Sequence, residues 1–351
     1  MKAVADQMSL PRSDGRNRLK KSLVLVAKLV VTAACFWYVL RRVNVGDAVR
    51  ALPTVDLRWM GFAVLVLTLQ IPLLAVRLQA IVNSLGRPPA HFSYLAGLSV
   101  TAICMFFGQV VPGLVSEGIR IWIITRFGYS LREGISSIAL DRGVGVAVLI
   151  AYVIVILFLP SPLATLLGYR DIVLLIFCGA LGIGGIALLL TPRLAPLLQR
   201  WRFTYWLGTF AVDARHVLRG RRSPLIIGAT FAIHLSTIVV VWFVGRGAGI
   251  SLPPFDWAVV FAVMVGVALL PITIGNWGLR ELAVVSLLGE HGVAPERALL
   301  FSVCFGLIFV IVALPGAIVW MLYPLPARYA PASARYGNPN AIPLEAKLDS
   351  P

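Results

Sequence analysis

The chain has 351 residues, of which 59% are hydrophobic and 13% charged, and its mean hydropathy is +0.89. Soluble globular domains are about 45–50% apolar and about 25% charged, so the composition excludes a water-soluble enzyme and points to an all-α polytopic membrane protein. The net charge of +16 does not signal nucleic acid, because the basic residues fall in short loops between apolar runs, where they report topology.

Taken in chain order, a basic tail over 1–21 leads into a single membrane domain over 22–323. Crossing a bilayer takes about 20 apolar residues, and 22–40 is the first such run. It carries Lys28, which can snorkel to the interface. It lacks a small-residue cleavage site and is followed by Arg41-Arg42, so it reads as a retained span rather than a signal peptide. A second span over 59–76 contains Gln70 and Pro72, which suggest a kink. Residues 92–111 run into Val111-Pro112-Gly113 and resume as a short helix to Thr125. Spans over 134–159, 172–190 and 224–245 follow. Residues 257–270 run into Leu270-Pro271, pass through Gly275-Asn276-Trp277-Gly278, and resume as a short helix to Leu288. A last span over 298–323 precedes a Pro/Ala-rich tail, 324–351, with the composition of a disordered segment. The expectation is six full spans and two re-entrant hairpins, whose helices are broken at membrane depth by proline and glycine.

With both hairpins returning to the side they enter, the pieces 1–22, 77–91, 126–133, 191–223 and 323–351 hold 20 basic residues and the opposite loops hold 6. This puts both termini in the cytoplasm. The 191–223 loop mixes seven arginines with Trp201, Phe203, Tyr205, Trp206 and Phe210. Two readings stay open for it: a helix in the headgroup layer or an ordinary basic loop.

An internal repeat runs through the chain. Met105 to Pro112 and Met264 to Pro271 share one offset of 159 residues, and Gly128 to Gly134 then faces Gly292 to Ala298. The halves, about 92–159 and 257–323, have opposite orientations under this topology, an inverted repeat of the transporter type.

Six ionisable residues flank the two breaks: Glu117, Arg120, Asp141, Arg142, Arg280 and Glu281. Charges within a membrane should be paired and face protein or water. Glu117 and Arg120 are i,i+3 on one helix and can point to one side. Arg280 and Glu281 project about 100° apart, so pairs across the repeats are expected in preference to a direct one. One reading makes the six fixed ion pairs that hold broken helices. The other makes them a polar cavity, arginines taking a phosphate by their planar fork and acids taking a cationic group or a proton.

Other features carry less. His234 reads as a hydrogen-bonded packing residue rather than a proton carrier. Gly182-Ile-Gly184-Gly185 and Gly245-Arg-Gly247-Ala-Gly249 lack the strand–turn–helix setting and lysine of a nucleotide loop. The four cysteines have no metal-ligand or disulfide spacing. No catalytic triad, metal or cofactor motif is found, and no ATP motif, so any transport is expected to draw on a gradient, the membrane potential or a partner.

Gly108-Gln-Val-Val-Pro112-Gly-Leu-Val-Ser-Glu117-Gly-Ile-Arg120, Asp141-Arg142-Gly143 and Leu270-Pro271-Ile-Thr-Ile-Gly275-Asn-Trp-Gly278-Leu-Arg280-Glu281 resemble the transmembrane region of lysylphosphatidylglycerol synthetases and its stand-alone, flippase-like relatives, over residues 20–323. The resemblance implies movement of aminoacylated phosphatidylglycerol between leaflets, or a part in hopanoid or polyprenyl-linked glycan pathways. It implies site roles for Pro112, Glu117, Arg120, Asp141, Arg142, Pro271, Gly275, Gly278, Arg280 and Glu281, while Gly113 is read as a helix break alone. The synthetases carry a soluble aminoacyl-transfer domain after the membrane region, and here about 28 residues follow the last span, so lysyl transfer is not expected.

The leading expectation is therefore a translocase for a phosphate-bearing lipid in the bacterial inner membrane, with membrane lipids and a lipid-modifying enzyme as partners and no cofactor. The alternatives are a membrane-embedded lipid-phosphate transferase with Glu117 or Asp141 as base, and a non-transporting scaffold.

Overall fold

The computed structural model describes residues 52–86, 91–111, 113–158, 170–201, 203–268 and 278–323. The described chain is helical: α1 (Leu57–Leu85), α2 (Tyr94–Val110), α3 (Gly113–Arg126), α4 (Leu131–Phe158), α5 (Arg170–Gln199), α6 (Tyr205–Arg219), α7 (Ser223–Gly247), α8 (Pro254–Ala268), α9 (Leu279–Gly289), α10 (Pro295–Ala313) and α11 (Pro315–Leu322). Five stretches among these residues are long and apolar enough to cross a membrane: Leu57–Leu85, Leu131–Phe158, Leu174–Gln199, Ser223–Gly247 and Pro295–Leu322. The protein is an all-α polytopic membrane protein. The span expected at 22–40, with Lys28, and the two tails lie outside the described residues.

Several elements run longer than hydropathy alone indicates. α1 continues nine residues past the expected end at 76, through Arg77 to Leu85. α5 runs through Pro192 and Pro196 to Gln199, and much of the expected 191–223 loop is helical, since α6 follows. Pro72 sits inside α1, and the buried Gln70 amide donates to the Ile233 carbonyl at 2.7 Å and to Ser236 Oγ at 2.7 Å. Gln70 thus ties α1 to α7, a role more specific than the expected kink.

The described residues form two compact units, one drawn from those within 67–154, 171–236 and 312–323, the other from those within 52–66, 155–158 and 237–311. In the first, α2 and α3 make an antiparallel helical hairpin. Ser116 Oγ donates to the Cys104 carbonyl at 3.1 Å. Ile123 and Ile124 share a buried cluster with Phe92, Ala96, Val100 and Ile103. Asn83 clasps the chain entering α2, donating to the Phe92 carbonyl at 2.8 Å and accepting from its N–H at 2.9 Å, while the Tyr129 hydroxyl donates to Asn83 Oδ1 at 2.9 Å. Burial pushes the Tyr129 phenol up to about 12.

In the other unit, α8 packs on α9, and the core is built on Trp257, Phe261 and Phe301, all fully buried. Trp257 and Phe301 lie 5.6 Å apart between ring centroids.

The turns that follow the two short helices share one device. Gly128 (φ 90°) and Gly292 (φ 74°) both take the left-handed region, which glycine enters without the Cβ penalty. The next helix starts three residues later in each case, at Leu131 and at Pro295.

Candidate functional site

The charged residues around the α2–α3 break assemble in the first unit into an alternating chain, Arg77–Asp141–Arg120–Glu117–Arg142. α1 supplies Arg77, α3 supplies Glu117 and Arg120, and α4 supplies Asp141 and Arg142. Arg77 Nε is 2.7 Å from Asp141 Oδ1 and Arg120 Nη1 is 3.3 Å from Asp141 Oδ2. Arg120 Nε is 3.6 Å from Glu117 Oε2, the i,i+3 contact expected on a helix. Glu117 Oε1 accepts from Arg142 Nε at 3.1 Å and also from Arg142 Nη2.

The chain grades from inside to outside. Side-chain exposure is 7% for Asp141 and 10% for Arg77, 15% for Arg120 and 19% for Glu117, and 66% for Arg142. Three guanidinium groups face two carboxylates, so the cluster carries one positive charge in excess. Hydrogen bonding is incomplete: Arg77 Nε has Asp141 Oδ1 beside it at 2.7 Å, but Arg120 Nε and Glu117 Oε2, 3.6 Å apart, are buried without a hydrogen-bond partner among the described residues. Buried polar groups are normally satisfied, so these two atoms leave hydrogen-bonding capacity for something further.

Arg77 is the member that sequence reasoning missed. Hydropathy ends the span at 76 and assigns Arg77 to a cytoplasmic loop; the structure instead buries it within α1, at 8% exposure. The signal available was its spacing from Gln70, seven residues and so two turns along one helix face.

The second break is built differently. Glu281 is fully buried in the first turn of α9. Its Oε2 accepts from the Gly278 N–H at 2.6 Å, a capping interaction that holds the helix start. Its Oε1 accepts from Arg280 Nη2 at 2.6 Å and from Ser302 Oγ at 3.0 Å. Arg280 Nε also donates to Ser302 Oγ at 3.1 Å, and the guanidinium lies 5.7 Å from the Phe305 ring centroid. The direct Arg280–Glu281 pair departs from the expectation of pairs across the repeats. The long Arg280 side chain folds back along the helix because Ser302, on α10, receives it. Ser302 is the second residue that sequence reasoning missed. Each cluster finds the partners described here within its own unit.

The remaining expectations divide as follows. Gly113 begins α3 and Gly278 precedes α9. Pro112, Pro271 and Gly275 lie outside the described residues. His234 Nε2 is 3.0 Å from the Gly145 carbonyl, with its ring edge-on to Tyr152, as a packing histidine would be. No group of three or more His, Cys, Asp or Glu suited to a metal occurs among the described residues.

Comparison with curated proteins and with solved structures found no match. Residues 25–316 match a family described as the lysylphosphatidylglycerol synthase TM region, a membrane region that ties the protein to lipid. With most of its length covered by that match, the chain belongs to the lysylphosphatidylglycerol synthase transmembrane-region family.

Proposed function

We propose that this protein translocates a phosphate-bearing lipid between the leaflets of a bacterial inner membrane, with both termini in the cytoplasm. The observation that carries the reading is the incompletely bonded, net-positive chain of Arg77, Asp141, Arg120, Glu117 and Arg142. A lipid phosphate brings an acceptor for Arg120 Nε, and the exposed Arg142 gives it a first point of contact. Glu117 exchanges its place on Arg142 or Arg120 for the phosphate, so the headgroup moves along fixed cations without an unpaired charge entering the membrane. A cationic headgroup such as an aminoacyl group is then met by the displaced carboxylate.

Three features support an inverted repeat with re-entrant hairpins. The α2–α3 pair is antiparallel about its break, α8 packs on α9, and the turns at Gly128 and Gly292 match in φ and in the restart of the next helix. The basic-residue bias still supports a cytoplasmic location for both termini once the buried Arg77 is withdrawn, at 19 against 6.

The test is a leaflet-exchange assay in proteoliposomes, with labelled phosphatidylglycerol, lysyl-phosphatidylglycerol, phosphatidylethanolamine and a polyprenyl phosphate. Exchange by the natural chain is expected to fall at least tenfold in Arg120→Gln at equal folded amounts, the loss of about 1.4 kcal/mol or more of headgroup binding. No exchange of any of the four lipids would shift weight to a scaffold. Covalent change of a lipid would instead favour a transferase using Glu117 or Asp141 as base.

A further inference from the structure

The segment between the spans α5 and α7 carries a feature independent of the translocation reading. Pro192 cannot donate to the Leu188 carbonyl, and Arg215 Nη1 from α6 replaces that donor, reaching the Leu188 and Leu189 carbonyls at 2.9 Å each. Thr204 Oγ1 donates to the Leu198 carbonyl at 2.5 Å. A Cβ at Gly208 would stand 3.0 Å from the Ala195 carbonyl, so α6 folds back closely against the end of α5. Ala214 and Val217 complete its seat by packing with Ala80, Ile81, Leu140, Val144 and Ile226.

The face left outward combines two properties. Trp201, Phe203, Tyr205 and Trp206 are 69%, 87%, 55% and 65% exposed. Arg200 is exposed next to Trp201, and Arg219, Arg221 and Arg222 are exposed at the far end of α6. Asp213 is the one acid between 191 and 223, and it is engaged by Arg132 at 3.1 Å and Ser136 at 2.9 Å, so the segment keeps no free carboxylate of its own. At about 22 Å, α6 is too short to cross a bilayer, and with a span on either side it must lie near one membrane face. Amphipathic aromatics settle at headgroup depth, and each basic residue near an anionic surface favours binding about fivefold.

We propose that residues 200–222 form a foot in the headgroup layer of one leaflet, with the four aromatics as depth anchors and Arg200, Arg219, Arg221 and Arg222 on the phosphates of anionic phospholipid. The latch of Arg215 onto the carbonyls beside Pro192 fixes the foot to its span.

The test uses the full chain in nanodiscs of phosphatidylcholine, with and without phosphatidylglycerol. It reads the fluorescence component that the Trp201→Phe/Trp206→Phe variant lacks. That component is expected to be quenched by a headgroup nitroxide lipid, to be shielded from acrylamide, and to shift to the blue when phosphatidylglycerol is added. Arg219→Gln/Arg221→Gln/Arg222→Gln should abolish the phosphatidylglycerol-dependent shift at unchanged melting temperature, and the corresponding lysine triple variant should retain it. Quenching by acrylamide without nitroxide quenching would overturn the proposal and indicate a water-facing surface for an acidic protein. A component indifferent to phosphatidylglycerol would overturn the assignment of the arginines to anionic lipid.

Discussion

The two breaks carry arginine–carboxylate clusters of the same composition class and opposite finish. At α9, every oxygen of Glu281 is engaged, the group is buried, and one Arg meets one Glu. At α3, three Arg meet two acids, Arg120 Nε and Glu117 Oε2 stand 3.6 Å apart without a hydrogen-bond partner among the described residues, and Arg142 is exposed. A satisfied network rigidifies, whereas an incomplete one stays costly until a ligand completes it. The family resemblance treats the charges of both breaks as site residues. Their geometry separates a fully engaged pair at α9 from an incompletely bonded cluster at α3.

Glu281→Gln should sharpen that contrast most. It removes the carboxylate charge that Arg280 Nη2 meets at 2.6 Å inside the protein, a loss of about 3–5 kcal/mol. A large drop in melting temperature in detergent is expected, with exchange falling only in proportion to folded protein. Full stability with abolished exchange would move the transport site to α9. Ser302→Ala removes a hydroxyl shared by both charged partners and should cost about 1.5–3 kcal/mol, again with exchange per folded molecule intact.

Glu117→Gln tests the other side. Arg120 keeps Asp141, and the exposed Arg142 is readily solvated, so melting should shift by no more than about 1–2 kcal/mol while exchange is lost. Smallest in stability is Arg142→Gln. Its pair is exposed on the arginine side and should contribute at most about 1 kcal/mol. Exchange of anionic lipid should become salt-insensitive in the variant, since the first electrostatic contact is gone. Equal melting losses at Glu281 and Glu117 would break the distinction.

Much of the architecture was legible in the chain. Apolar runs placed the spans, and Val111-Pro112-Gly113 marked the end of α2, whereas the left-handed geometry shared by Gly128 and Gly292 emerged only in the structure. Ends of helices were less legible. Hydropathy stops at Arg77 and at Pro192, yet both helices continue. In each case a partner far along the chain compensates the offending residue: Asp141 for the charge, Arg215 for the carbonyl that proline leaves open.

By itself, the sequence determined a helical membrane protein, because burial in lipid demands long apolar runs with their backbone bonded internally. It also determined where charges gather, since a charge is affordable there only near a helix break or a partner. Which charge meets which was decided by tertiary structure. Arg280 turned to its own neighbour because Ser302 stands beside both, and Arg77 became a buried member of the α3 cluster because Asp141 faces α1. Pairing depends on distances of a few ångströms between residues dozens of positions apart, and helical periodicity supplies directions but not neighbours.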